Sequence, residues 1–250
     1  MTTEPATSPS TPPAAPGEPL VSVLVAAYNE EDTVETVLRN VADLPFATEL
    51  VVVDDGSVDG TRAVLDRLER GGDLPGLRVI AHERNRGKGA AVRTAIDASR
   101  GDIVVIQDAD LEYDPRDLPR LLEPILEGHA DVVFGTRLRG GQPQRAHLFW
   151  HYAGNRFLSL LTNVLFNTTI SDMEVGYKAF RGDLVRSLEL VSDDFAIEPE
   201  LAAKILRQPA VRLYEVPISY FGRTYAEGKK ITWRDGLGAV RALIRFRLER

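Results

Sequence analysis

Cysteine is absent from the 250 residues, which excludes a disulfide framework, a thiolate zinc site and a cysteine nucleophile. No stretch reaches the roughly 18 uninterrupted apolar residues of a membrane span, and the N-terminus lacks the basic-then-apolar pattern of a secretory signal. A protein of the cytoplasm is therefore expected. Positive charge is in deficit, with a formal net charge of −7, which argues against a general nucleic-acid binder. At 44% hydrophobic and 27% charged residues, wholesale disorder and collagen-like repeats are excluded as well.

The acidic average hides a segregation. Between Val132 and Ser171 there is no Asp or Glu, while Arg137, Arg139, Arg145 and Arg156 carry positive charge. From Ile218 to Arg250, eight Lys and Arg face three acids. An acidic body with two basic segments points to an anionic partner docking at one place.

Residues 1–19 hold six of the 15 prolines and almost nothing to bury, so they read as a disordered tail. From Leu20 onward, short apolar runs alternate with helical patterns. Strands are predicted over 21–27, 50–53, 77–82, 103–107 and 132–135, with helices over 31–44, 61–70 and 88–99 between them. This alternation predicts βαβ units and a mostly parallel sheet. Polar clusters follow three of the strands: Tyr28-Asn29-Glu30, Asp54-Asp55 and Asp108-Ala109-Asp110. Ligands of open α/β sheets bind outside the carboxyl ends of the strands, where these clusters lie.

Asp108 and Asp110, one residue apart where a buried strand gives out, are a pair of hard oxygen donors suited to Mg2+ or Mn2+. Glu112 follows two residues on. The run Arg84-Asn85-Arg86-Gly87-Lys88-Gly89 leads into a helix whose N-terminus favours an anion, although it lacks the Walker A spacing. Between Ala146 and Phe166, aromatic and leucine residues recur at roughly helical spacing beside arginines. That pattern describes an interfacial helix, with a buried core helix as the alternative. Residues 234–250 repeat it: Leu237, Val240, Ile244 and Leu248 recur with Leu243 beside them, among Arg241, Arg245, Arg247 and Arg250.

Five motifs occur in an order that resembles family two glycosyltransferases, and within them the polyprenyl-phosphate enzymes of the dolichol-phosphate mannose synthase type. They are Ala27-Tyr28-Asn29-Glu30-Glu31, Val53-Asp54-Asp55-Gly56-Ser57-Val58-Asp59-Gly60-Thr61, Asn85-Arg86-Gly87-Lys88-Gly89, Asp108-Ala109-Asp110-Leu111-Glu112-Tyr113 and Gly135-Thr136-Arg137. The resemblance runs from about Leu20 to Trp233. It implies a Rossmann-like GT-A fold over 20–233, followed by the basic amphipathic helix 234–250. It also implies a nucleotide-sugar donor, UDP- or GDP-linked, a divalent metal and inversion at the anomeric carbon of a hexose.

By the same resemblance, Ala26, Tyr28, Glu30, Asp54, Asp55 and Lys88 line the donor site, with Ala26 standing where the family usually has proline. Asp108 and Asp110 hold the metal, joined by Glu112. Arg137 contacts the phosphate of a polyprenyl-phosphate acceptor. His151 stands where a second arginine is usual. Arg223 and Lys229, in a basic loop resembling the one these synthases close over the donor, neutralise the leaving diphosphate. A lipid acceptor implies peripheral attachment to the cytoplasmic membrane face, directly or through an anchoring partner protein. Two other readings stand beside this one. The acceptor is a sugar or small-molecule hydroxyl, with Asp172 or Glu174 as general base, or the chain is a catalytically silent nucleotide-sugar-binding partner.

Overall fold

The computed structural model describes residues 18–46, 48–145, 149–223 and 233–249. The predicted tail lies almost wholly outside them.

A seven-stranded sheet organises the molecule: β1 (Val21–Ala27), β2 (Thr48–Asp54), β3 (Leu77–Ala81), β4 (Ile103–Asp108), β5 (Val132–Thr136), β6 (Lys178–Arg181) and β7 (Leu213–Pro217). Their order across the sheet is β3-β2-β1-β4-β6-β5-β7. The first four strands pair in parallel, with Ala26 beside both Val53 and Asp108, so the carboxyl ends of β1, β2 and β4 lie level. Parallel strands covered on both faces need no polar alternation. That is why β1 and the Leu50–Val53 run of β2 lack polar alternation and bury Val23, Val25, Val51 and Val53.

The β-type runs and the helices between them lie where the sequence predicted them, with ends shifted by a few residues. In α1 (Val34–Ala42), Val34, Val37, Leu38 and Val41 form one apolar face, and all are buried against the sheet. Then α2 (Thr61–Gly71) ends at Gly72, whose φ of +71° supplies the left-handed stop. A single 3-10 turn over Pro115–Asp117 leads from β4 into α4 (Leu118–Leu126), whose Leu118, Leu121, Leu122 and Ile125 are buried.

The parallel order breaks at β6, which lies antiparallel between β4 and β5. Beyond it, α6 (Gly182–Arg186) and α7 (Ile197–Leu206) cover the sheet, and β7 extends it in parallel beside β5. The two predicted amphipathic segments are helices α5 (Phe149–Phe166) and α8 (Trp233–Leu248), and α8 packs against α5 and α7. In α8, Ala239, Ala242, Leu243 and Phe246 face the body of the protein, whereas Leu237, Ile244 and Leu248 are exposed. No helix among the described residues is long and apolar enough to cross a membrane.

Candidate active site

A cavity of about 760 Å³ opens above the carboxyl ends of β1, β2 and β4. Its wall includes Ala26, Tyr28, Glu30, Asp55, Lys88, Asp108, Asp110, Glu112, Arg137, His151 and Arg223. Ten of the expected donor, metal and acceptor residues thus meet with Arg223 in one space. Two do not: Lys229 lies outside the described residues, and Asp54 is buried with its Oδ1 accepting the Ser57 N–H at 3.0 Å. Asp54 therefore shapes the turn after β2 and does not reach the cavity wall.

Asp55 reaches the wall and also builds the loop beside it. Its carboxylate accepts the backbone N–H of Arg86 at 3.0 Å and of Gly87 at 2.8 Å, and is 2.7 Å from His82 Nδ1. The loop enters α3 (Lys88–Ala98) through Gly87, whose φ is +100° and where a Cβ would lie 2.3 Å from the Asp193 carbonyl. Glycine is required there on both counts. This approach brings the segment before α7 against the start of α3. Lys88 Nζ is thereby placed 2.8 Å from Asp108 Oδ1 and 3.1 Å from Glu198 Oε1. Lys88 is buried. Burial opposes its charge, but these two carboxylates outweigh it and keep the ammonium protonated. Glu198 also binds the buried ammonium of Lys178.

At the other side of β4, Asp110 pairs with the Arg223 guanidinium at 2.7 Å, and Arg223 also reaches Glu30 at 3.2 Å. Burial, with the charges of Asp108 and Glu112, pushes Asp110 up to about 6 against the pull of Arg223. Two carboxylates crowded at a strand end, each held by a cation from another element, form a donor set where added positive charge is favoured. Asp108 and Asp110 therefore fit a magnesium or manganese ion. Glu112, expected to join them, is directed elsewhere: it accepts the Tyr220 hydroxyl at 2.6 Å and the Arg223 N–H at 2.9 Å. Among the described residues no three acids or histidines cluster in a metal-binding arrangement.

Arg137, at the end of β5, is buried and clasped by Asp172, with Nε 2.7 Å from one carboxylate oxygen and Nη2 2.8 Å from the other. Tyr220 stacks beneath the guanidinium at 5.0 Å, and the Tyr113 hydroxyl is 3.4 Å from Nη1. Burial disfavours ionised Asp172, yet the Arg137 charge holds its carboxyl below the usual range. Asp172 is fully buried, does not line the cavity and has both carboxylate oxygens engaged by Arg137, so it is not placed to act as the general base expected of it. Glu174, the other candidate base, does line the cavity.

Sequence reasoning missed Glu198, Lys178, Tyr113 and Tyr220. Acids on a helix and a lysine on a strand read as solvated positions. The burial of Glu198 and Lys178 follows from the insertion of β6 and from the segment before α7 lying against Gly87 and Gly89, which no local pattern encodes.

The comparisons agree with this architecture. Crystal structures of glucosyl-3-phosphoglycerate synthase from Mycobacterium tuberculosis superpose on the chain. One of them, in complex with Mn2+, uridine-diphosphate and glucosyl-3-phosphoglycerate, has a TM-score of 0.70 at 23% identity, covering 93% of this chain and 80% of that one. This likeness establishes the GT-A fold. A dolichyl-phosphate hexose transferase of Haloferax volcanii is 31% identical over 232 residues, 92% of this chain and 94% of its own length. A dodecaprenyl-phosphate galacturonate synthase of Rhizobium johnstonii is 26% identical over 84% of this chain. The glycosyltransferase AglJ of Haloferax volcanii is 31% identical over 81% of it. The chain spans 61% and 63% of the length of these last two relatives. Residues 22–188 match the model of glycosyl transferase family 2, and the chain belongs to that family.

Proposed function

We propose that the protein is an inverting glycosyltransferase that moves a hexose from a UDP- or GDP-linked donor to a polyprenyl phosphate at a membrane surface. One observation carries this reading. A single cavity joins the strand-end carboxylates Asp108 and Asp110 to Arg137 and to Trp150 and His151 at the start of the apolar helix α5. Its one end suits a nucleotide diphosphate and its other a phosphate on a lipid.

A phosphate monoester has its second pKa near 6 and is largely dianionic at neutral pH, so it needs no general base. One of its oxygens attacks the anomeric carbon as the bond from that carbon to the nucleoside diphosphate breaks, and the electron pair leaves with the diphosphate. Arg137 presents cationic N–H groups to the incoming phosphate, held in register by Asp172. Arg223 exchanges its carboxylate partners for the diphosphate as charge develops there. Lys88 fixes Asp108 in its orientation. Asp108 and Asp110 would hold the Mg2+ or Mn2+, which when bound supplies Lewis-acid stabilisation of the leaving group. Lys229 belongs to the same proposed basic loop as Arg223.

The acceptor end supports attachment to a bilayer. Along α5, Phe149, Trp150, Phe157, Leu160 and Val164 are exposed, with Trp150 at 81%. The exposed Leu237, Ile244 and Leu248 of the neighbouring α8 stand among exposed Arg241, Arg245 and Arg247. Large apolar side chains beside arginines suit the headgroup layer of an anionic membrane. Anchoring through a partner protein is the alternative arrangement.

The test is to supply UDP- and GDP-hexoses with a polyprenyl phosphate and Mn2+ or Mg2+, following glycolipid by mass spectrometry with and without chelator. Metal-dependent lipid product supports the proposal. Transfer only to a water-soluble hydroxyl would favour the second reading, in which Glu174, raised to about 7 chiefly by burial, serves as base. Donor binding with no transfer under any condition would identify a silent partner.

A further inference from the structure

Glu174 has no task in transfer to a phosphate, yet it stands on the cavity wall. Its Oε1 is buried and has no hydrogen-bond donor among the described residues. An unmatched buried acceptor is costly, and native proteins rarely retain one without a use. The neighbouring cations do not supply the missing donor. Lys88 bridges Asp108 and Glu198, and Lys178 is hydrogen-bonded to Glu198 and to the Val175 carbonyl. Glu174 faces Glu198 as a like charge, which with burial disfavours its ionised form, while Lys178 and Arg137 pull the other way.

Its position along the chain locates it within the cavity. Two residues upstream, Asp172 clasps Arg137 at the end assigned to the acceptor phosphate. Two residues downstream, Gly176 presses on Asp108 so closely that a Cβ would lie 2.4 Å from Oδ2, at the end assigned to the donor diphosphate. In the chain, Glu174 stands midway between these two contacts, and it lines the cavity they share. In a single displacement, that interval holds the sugar ring.

Resting on the glycosyl-transfer reading above, we infer that the Glu174 carboxylate turns to accept a hydrogen bond from a hydroxyl of the transferred sugar, and that this sugar is a neutral hexose. A uronic acid would set a third carboxylate beside Glu174 and Glu198 where both lysines already have partners. A site built to bond a hydroxyl also discriminates strongly, because losing the partner leaves its buried polar group unpaired.

The test is calorimetric and uses no acceptor, so a general-base role cannot mimic it. With Mn2+ present, the full chain and its Glu174→Met and Glu174→Gln variants are titrated with UDP, UDP-glucose, UDP-galactose and UDP-glucuronate, and with GDP and GDP-mannose. Met matches the length of Glu without an accepting oxygen, whereas Gln keeps one. The Met variant is expected to bind the preferred nucleotide-hexose about 10- to 100-fold more weakly, as for the loss of one partner of a buried hydrogen bond. Gln should lose less. The free nucleoside diphosphate, which reports an intact fold and nucleotide site, should bind all three proteins within about twofold, and UDP-glucuronate should bind the wild type more weakly than neutral sugars. Unchanged hexose affinity in the Met variant, an equal loss for nucleotide and nucleotide-sugar, or tighter binding of the uronate each overturns the inference. A wild-type chain that binds neither nucleotide series overturns the glycosyl-transfer reading itself, and this inference with it.

Discussion

Asp172 holds Arg137 by both side chain and main chain: besides the bidentate guanidinium contact, it accepts the Arg137 backbone N–H at 3.0 Å. Glu215 in turn receives the N–H of Ser171 at 2.7 Å, so the carboxylate is itself fixed from β7. Removing Asp172 would leave a guanidinium buried without its counter-charge. Asp172→Ala is expected to destabilise the protein by about 3–5 kcal/mol, read from urea denaturation. Asp172→Asn, which keeps an acceptor, should lose less stability and raise the KM for polyprenyl phosphate while donor affinity stays within about twofold.

Asp110→Asn nearly preserves shape while removing one carboxylate charge from the proposed ion site. Turnover is expected to fall by at least about 100-fold, with the thermal melt retained and neither Mg2+ nor Mn2+ restoring activity. Wild-type turnover in this variant would dismiss the metal role.

Glu174 makes stability pH-dependent in a defined direction. Its carboxyl is raised from an ordinary 4.5 to about 7, first by burial and then by Glu198, with Asp172 adding to the rise and Lys178 and Arg137 opposing it. A raised carboxyl binds its proton more tightly in the folded state, so its contribution is most favourable below the unfolded value and is lost as pH climbs through about 7. Between pH 5 and 8, the wild type should lose roughly 2 kcal/mol relative to Glu174→Gln. Parallel denaturation curves at the two pH values would remove this assignment.

Replacing Phe149 and Trp150 with serine should weaken flotation with anionic vesicles at least about fivefold, leaving nucleotide binding intact. Raising the salt should release the wild type as well, since each basic residue near the surface contributes about 1 kcal/mol that ionic screening removes. A protein that ignores anionic vesicles at low salt, yet binds when a particular membrane protein is present, would transfer anchoring to that partner.

Much of the donor half was legible because its signals are local. Apolar runs such as Val21–Ala27 report parallel strands directly, and Asp108 and Asp110 end one of them. The acceptor half was less so. In β6, Lys178 is fully buried, which a charge pattern reads as exposure, and its neutralising Glu198 comes from a helix 20 residues away. The exposed face of α5 was visible in composition, but only the fold decides that Leu158, Ser159 and Thr162 turn inward while Trp150 turns out. Asp172 illustrates the remaining difficulty. A carboxylate beside a motif suggests a base, and only three-dimensional pairing with Arg137 assigns it otherwise.

The reversed strand β6 has a consequence for how such an enzyme diversifies. Residues 172–177 lead into this antiparallel strand between β4 and β5, and Glu174 and Gly176 among them line the cavity. The same six residues touch Arg137 on one side and Asp108 on the other. Under the proposed assignment, a change on α5 retunes the choice of acceptor alone, and a change after β2 the nucleotide end alone. A change in residues 172–177 alters both substrates together. Libraries randomised there should yield variants whose donor and acceptor preferences shift as a pair, whereas libraries in α5 should separate them.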